Sequence, residues 1–289
     1  MISGKKMTRR STFLAAGAVT AASVGSFAAA QGAGARGAHA TAFALVGDRY
    51  HNSDYIRTGL GKTLVQDAGL SIDFTDEVSM LSEDTLQHYR MLIVFRDGMK
   101  WPDGYGDGGH YPGRTAETSA LKSIPPLPEA ESKPEMWLTG AQGKAVRAFV
   151  ESGGSAFFFH NNSHVSLASE DYRDVEGAIY TGHPPIRPFW VKMTDNKHPI
   201  TKGVSDFLVT DEQHYVTYDK SPEYVLMRSE NADGLAFGDQ GASCEAGWAY
   251  EYGKGRVCFM APGHMISALW NPEYIKLQVN AANWLMRKI

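Results

Sequence analysis

Ten residues constrain this chain more than any others: Gly153-Gly154-Ser155-Ala156-Phe157-Phe158-Phe159-His160-Asn161-Asn162. Two glycines release a short apolar run that ends abruptly in polar groups able to handle protons. A strand with one wet face alternates polar and apolar residues, whereas a continuous run belongs to a strand covered on both faces, as in the middle of a parallel sheet. In open parallel α/β sheets, ligands bind outside the carboxyl ends of the strands. The run therefore predicts a central strand that delivers His160 and Asn161 to a binding rim. A second segment, Gly255-Arg256-Val257-Cys258-Phe259-Met260-Ala261-Pro262-Gly263-His264, has the same form and predicts that His264 reaches the same rim.

The remaining elements fit a doubly wound α/β fold with a mostly parallel sheet and helices on both faces. Strands are expected over 41–47, 71–74, 91–95, 189–193, 224–227, 248–250 and 257–260. The first is followed by the loop Asp48-Arg49-Tyr50-His51-Asn52 and a helix whose Ile56, Leu60 and Leu64 recur at four-residue spacing before Gly69. Ser82, followed by two acids, opens a brief helix. Thr139-Gly140-Ala141-Gln142 reads as a capping box. Asn271-Pro272-Glu273 starts the last helix, with Ile275, Val279, Ala282 and Leu285 expected on its buried side. No internal repeat appears, and no linker after residue 41 separates two cores, so 41–289 reads as a single domain.

Residues 1–40 are expected to be an export leader and flexible stretch. Lys5, Lys6, Arg9 and Arg10 precede an apolar, small-residue run from Phe13 to Ala30. Arg9-Arg10-Ser11-Thr12-Phe13-Leu14 resembles a twin-arginine signal with the Phe-Leu pair displaced by one position, which leaves the Sec route open. A periplasmic or secreted location is expected in either case, with no stable membrane anchor after cleavage; the alanine- and glycine-rich run is marginal for a spanning helix. The two cysteines of an exported chain invite a disulfide. A hairpin turning at Tyr252-Gly253-Lys254-Gly255 opposes Cys258 to Ala249, however. Cys244 then lies about five residues along, roughly 16 Å at strand rise, so two free thiols are predicted.

Residues 97–137 form a long insertion rich in glycine and proline, with Trp101, Tyr105, His110, Tyr111 and Arg114 in its first half. Loops of that length are usually functional or disordered. The aromatic half is expected to form a lid, and the Pro125-Pro126-Leu127-Pro128 half to run over the surface.

The net charge of -4 among 289 residues gives no electrostatic footprint for nucleic acid. A Gly-x-Ser-x-Gly elbow, a phosphate-cradling glycine loop with lysine, His-Glu-x-x-His and Cys-x-x-Cys are all missing. Serine hydrolase, nucleotide enzyme, zincin and thioredoxin-like readings fall, and no nucleotide cofactor is expected. What remains is a set of imidazoles and acids: His160, His264, Asp211, Glu212 and His214 as catalytic candidates, with Asn161, His51, His110, His183, Trp101 and Trp190 as candidate contacts to a substrate. Within Thr210-Asp211-Glu212-Gln213-His214-Tyr215, two carboxylates and an imidazole supply an acid, a base and metal ligands. The competing reading of that segment is a solvated loop, and for His160 and His264 it is rim-stabilising hydrogen bonds. His198-Pro199-Ile200-Thr201 reads as turn chemistry and His88 as surface. Should a divalent metal such as zinc bind, His160, Glu212, His214 and His264 are the expected ligands.

Several segments together resemble the trehalose-utilisation (ThuA-like) family, similar in fold to class I glutamine amidotransferases and flavodoxin-like proteins. They are Gly153-Gly154 with the strand ending at His160, Gly182-His183-Pro184, His198-Pro199-Ile200-Thr201, Thr210-Asp211-Glu212, the stretch from Trp248 to Val257, and Gly263-His264. The resemblance places an amidotransferase cysteine nucleophile around His160, where this chain has none, so amidotransferase chemistry is not expected. Gln213-His214 also departs from the family's usual aromatic residue after Asp-Glu. The resemblance implies sugar catabolism, including disaccharides oxidised to 3-keto forms. That implies a small saccharide ligand and isomerisation or glycosidic elimination by histidine-mediated proton abstraction. A sugar-binding domain without turnover and a metal-dependent hydrolase remain as alternatives, with Trp101, Trp190 and Trp248 able to stack on sugar faces, and self-association into a homo-oligomer stays open.

Overall fold

The computed structural model describes residues 40–100, 134–194 and 197–289, and by their contacts His39–Ile289 form one unit. The leader, Trp101, His110 and most of the 97–137 insertion lie outside the described residues. In chain order the elements are β1 (Ala42–Val46), α1 (Ser53–Leu60), β2 (Ile72–Thr75), α2 (Glu83–Leu86), β3 (Met91–Phe95), β4 (Met99–Lys100), β5 (Glu135–Met136), α3 (Gly140–Glu151) and β6 (Ser155–Phe159). There follow α4 (Glu170–Glu176), β7 (Ala178–Gly182), β8 (Arg187–Met193), β9 (Phe207–Asp211), β10 (Tyr215–Tyr218), β11 (Val225–Asn231), β12 (Ser243–Tyr252), β13 (Gly255–Met260), α5 (Ile266–Leu269) and α6 (Pro272–Leu285).

Nine strands form the main sheet in the order β2-β1-β3-β6-β13-β12-β11-β8-β9. The pairings from β2 to β13 are parallel and those from β13 to β9 antiparallel. The fold is thus the expected α/β class, but its sheet is mixed: only the half from β2 to β13, centred on β3, is parallel. Every residue of β1, β3 and β6 is buried, because helices cover both faces there. On one face, α1 runs on through a π-helical stretch, Gly61–Asp67, which packs on α6, and α5 joins them. On the other, α3 packs against α2 and α4, and β6 and β13 touch both α3 and α6. The outer strand β9 instead alternates buried and exposed residues, the mark of a sheet with one wet face.

Local chemistry starts and stops these elements as the sequence predicts. Asn52 accepts from Asp54 N, Ser82 from Thr85 N, and Asn271 from Glu273 N. Thr139 and Gln142 close their capping box reciprocally. The hairpin register places Ala249 opposite Cys258, and both cysteines are buried free thiols. His198 caps a 3-10 turn by accepting from Ile200 N, a turn role as expected.

Three features differ from the sequence reading. Strands β7, β9 and β10 were not foreseen, since their short runs are punctuated by polar residues that a one-sided sheet tolerates. In α6 the predicted Ala282 and Leu285 are buried, but Ile275 and Val279 are only half-buried; Tyr274 and Gln278, one position earlier, take their place with Leu277, Ala281 and Trp284, because the π-helical stretch meets the helix from that side. Trp248, weighed as a sugar-stacking residue, is core: its indole stacks on Phe259 and donates to Glu176 O at 2.7 Å. The described ends of the 97–137 insertion, β4 and β5, pair as a two-stranded antiparallel ribbon.

Candidate functional site

The carboxyl ends of the parallel strands open into a cavity of about 830 Å³, within the size range of small-molecule sites. Its lining includes His51, Asp97, Asn161, His183, Glu212, His214 and His264. Each arrives from a different strand end. His51 sits in the loop after β1 and Asp97 two residues past β3. Asn161 follows His160 at the end of β6, and His264 stands four residues past β13. From the antiparallel half of the sheet comes Glu212, directly after β9, while His183, directly after β7, and His214, immediately before β10, come from a separate two-stranded antiparallel ribbon that these two strands form.

At the floor, five imidazole nitrogens surround one carboxylate oxygen. Glu212 Oε2 lies 3.1 Å from His264 Nδ1, 3.3 Å from His214 Nε2 and 3.4 Å from His160 Nε2. It lies 3.9 Å from both His51 Nε2 and His183 Nε2. Two overlapping sets offer metal-ligating atoms at close range: His51, His160, Glu212 and His264, and separately His183, Glu212 and His214.

His160 occupies the sharp turn from β6 into a 3-10 stretch with φ 52°, a left-handed conformation that non-glycine residues seldom adopt. Such strain persists where surrounding structure enforces it, often at functional sites. Here the enforcement is visible. His160 Nδ1 donates to Ala261 O at 2.7 Å, and a Cβ on Gly263 would stand 2.7 Å from both His160 Cβ and Phe95 Cζ, so only glycine admits this approach. The ring has no exposed surface.

His51 is fixed by Asp48, whose Oδ1 lies 2.9 Å from His51 Nδ1. Asp48 also receives the backbone N–H groups of Tyr50, His51 and Asp97 and the Asn161 amide at 2.8–2.9 Å. Burial by itself would raise the Asp48 carboxyl, but the His51 ring and these donors hold it well below the usual carboxylate range. An ionised Asp48 only accepts, so in the neutral His51 ring Nδ1 carries the proton and Nε2 presents its lone pair to the pocket. His183 is set similarly, with Nδ1 donating to Pro184 O at 2.8 Å and Nε2 facing inward.

Electrostatics divide the cluster. Burial acts to raise Glu212, yet the imidazoles of His160, His214 and His264 crowding its carboxylate drive it far down, so it is ionised. Burial pushes His160 well below the ordinary imidazole range and His214 down to about 4, leaving both neutral near pH 7. His51 moves the other way: burial would lower it, but the Asp48 charge and then Glu212 raise it. Asp97 is raised to about 7 by burial and the Asp48 charge.

The structure therefore brings together His51, Asn161, His160, His183, Glu212, His214 and His264. Asp211 is a positioning residue rather than a reacting group: its buried carboxylate accepts from Glu212 N, Gly263 N and His264 N at 2.8–3.0 Å and ties β9 to the loop carrying His264. Burial raises it to about 7 against those donors. Trp190 stands exposed on β8, outside the pocket lining. Asn161 spends its amide N–H on Asp48. Sequence reasoning missed Asp97 and Tyr180 as pocket-lining groups and Asp48 as the partner that fixes His51. An aspartate three residues before a histidine, just past a predicted strand, was the available signal for Asp48; nothing local marked Tyr180.

The sheet and the pocket at its carboxyl edge define an α/β protein with a glutamine-amidotransferase-like fold. The trehalose utilisation (ThuA) family matches residues 120–285, more than half of the sequence, and the chain belongs to that family. A ThuA-like protein from Bacteroides uniformis superposes with a TM-score of 0.55 at 16% identity, over 84% of this chain and 90% of its own. One from Parabacteroides merdae gives 0.54 at 15% identity, over 84% and 88%. A β-galactosidase from Rahnella sp. R3 shares the fold with a TM-score of 0.51 at 12% identity, over 86% of this chain but only 31% of the larger enzyme. At these identities the likeness concerns the fold alone. Comparison with curated proteins finds no match.

Proposed function

We propose that this chain is a carbohydrate-converting enzyme that removes a proton beside the carbonyl of an oxidised saccharide, with 3-keto disaccharides as the substrate class. The observation that carries the reading is the convergence of five imidazoles on Glu212 in a pocket open to solvent. A ketone at carbon 3 acidifies the C–H bond at carbon 2. His183 has the most exposed ring of the five and an Nε2 lone pair facing inward, which suits it to take that proton. The electron pair of the broken C–H bond moves to the carbonyl oxygen, giving an enediolate whose charge is offset by the imidazolium that His183 has become. Reprotonation from the opposite direction gives an isomer. Collapse with breakage of the C1–O bond expels the second sugar, whose oxygen takes a proton, and leaves an unsaturated ketone. His160, sealed below the pocket, has no path to a substrate carbon; its part is to hold the cluster. The Arg9-Arg10 leader supports a periplasmic or secreted site of action.

Incubating the protein in D₂O with native and 3-keto disaccharides tests this. Deuterium at carbon 2, or a new product, is expected by NMR and mass spectrometry for the keto sugars only, with at least tenfold slower exchange in His183→Gln. Every saccharide recovered unchanged and undeuterated would overturn the reading and leave a sugar-binding domain as the alternative.

A further inference from the structure

We infer that His51 Nε2, His160 Nε2, Glu212 Oε2 and His264 Nδ1 form a binding site for a divalent transition-metal ion. The argument begins with protons. His160 Nδ1 donates to Ala261 O at 2.7 Å, so in the neutral ring Nε2 is a bare lone pair. That atom is buried, has no hydrogen-bond partner, and faces a carboxylate oxygen at 3.4 Å. His51 repeats the pattern: Nδ1–H is spent on Asp48, and Nε2 points at His264 Nδ1, 3.0 Å away. Two lone pairs and an anionic oxygen thus converge, with the single proton of His264 Nδ1 among them. Electron pairs aimed at one another repel, and a shared cation satisfies all four once the His264 proton has moved from Nδ1 to Nε2.

The spacing fits. Zinc–nitrogen and zinc–oxygen bonds of about 2.0–2.2 Å set tetrahedral ligand–ligand edges near ~3.3 Å. Four edges of this group measure 3.0, 3.1, 3.4 and 3.9 Å, and all four atoms lie within 4.8 Å of one another. The outer partners are those a metal site requires. A carboxylate on His51 and a backbone carbonyl on His160 fix both tautomers and ring orientations. Three imidazoles and one carboxylate favour zinc and the neighbouring late first-row ions over magnesium or calcium. His214, included in the ligand set expected from sequence, stands outside it. Its ring lies tilted against that of His160 with centroids 4.0 Å apart and shares Glu212 with His183 in the other set, while its buried Nδ1 has no partner to orient the ring.

An ion here would polarise a carbonyl oxygen entering above His264 and Glu212, which line the pocket. That catalytic role rests on the reaction proposed above; the binding itself does not. The test is titration of the metal-stripped full chain with Co²⁺, followed by visible absorption and elemental analysis. One equivalent should bind, with a ligand-field spectrum of a nitrogen-rich four- or five-coordinate site, and Zn²⁺ should displace it. His160→Gln and His264→Gln should each weaken binding at least tenfold, Asp48→Asn by about 10–100-fold, and His214→Gln by less than threefold. His264 lies at the rim, so its variant keeps the test decisive should His160→Gln fail to fold. Failure to bind one equivalent, or unchanged affinity in folded His264→Gln, would overturn the site. Stoichiometric binding without any saccharide turnover would uphold the metal centre and remove only the proposed reaction.

Discussion

The two halves of the main sheet solve different problems, and the pocket lies where they meet. In the parallel half, strands β1, β3 and β6 are buried throughout and end in groups locked by fixed partners: His51 by Asp48, His160 by Ala261 O. In the antiparallel half, strand β9 keeps one face wet, and it delivers Glu212, held by imidazoles from elsewhere. The rigid side supplies oriented rings; the other side supplies the carboxylate they surround. Neither half alone contains the cluster. Asp211 joins them by accepting N–H groups from the loop after β13.

The contrast in burial predicts the largest effect. Phe158→Ala on β6, where the ring is fully buried, should cost roughly 3–5 kcal/mol in denaturant unfolding, against within about 0.5 kcal/mol for Leu208→Ala on β9, which is 46% exposed. Comparable losses would erase the distinction between the halves. Next in size is the charge at the seam. Glu212→Gln should reduce kcat/KM on a 3-keto disaccharide by about 10²–10³-fold while leaving the fold intact, and wild-type rates would detach Glu212 from the chemistry. Gly263→Ala should destabilise by roughly 1–3 kcal/mol and depress activity, because the new methyl meets His160 and Phe95 at 2.7 Å; an unchanged unfolding midpoint would mean the seam yields more easily than described.

The subtlest test compares Glu212 with a second buried glutamate. Glu176, at the end of α4, bonds to Ser166 and has no imidazole cage; burial pushes its carboxyl from 4.5 up to about 8. Its native state therefore holds a proton that the unfolded chain releases near pH 4.5. The stability linked to that proton is complete below about pH 4.5 and declines as pH rises through about 8. Glu176→Gln should lose less stability than wild type between pH 5 and pH 8.5 in parallel denaturation series. A difference that stays flat with pH would place the ionised form in the native state.

Much of this was legible before any coordinates. Continuous apolar runs gave β1, β3, β6 and β13, and the caps at Asn52, Ser82, Thr139 and Asn271 act within three or four residues of themselves, so local sequence suffices for them. The β12–β13 register followed from one turn, and with it the free thiols. Strands β7, β9 and β10 were hidden because their stability comes from neighbours rather than from their own pattern. For the same reason Asp211 looked like a reacting acid: its three backbone donors come from its own neighbour and from residues some fifty positions away.

The sequence by itself determined the α/β class, the strands that would be central, and the edge to which His160 and His264 would be delivered. Those properties depend on short-range periodicity and on which residues can start or stop an element. Tertiary structure alone decided that Glu212 is the centre, that His51 belongs with His160 and His264, and that His160 lies sealed beneath the pocket. His51 and His264 are separated by 213 positions yet stand 3.0 Å apart. That distance is set by strand order and by the glycine-mediated approach of the β13 loop to the β6 turn, neither of which any local spacing encodes.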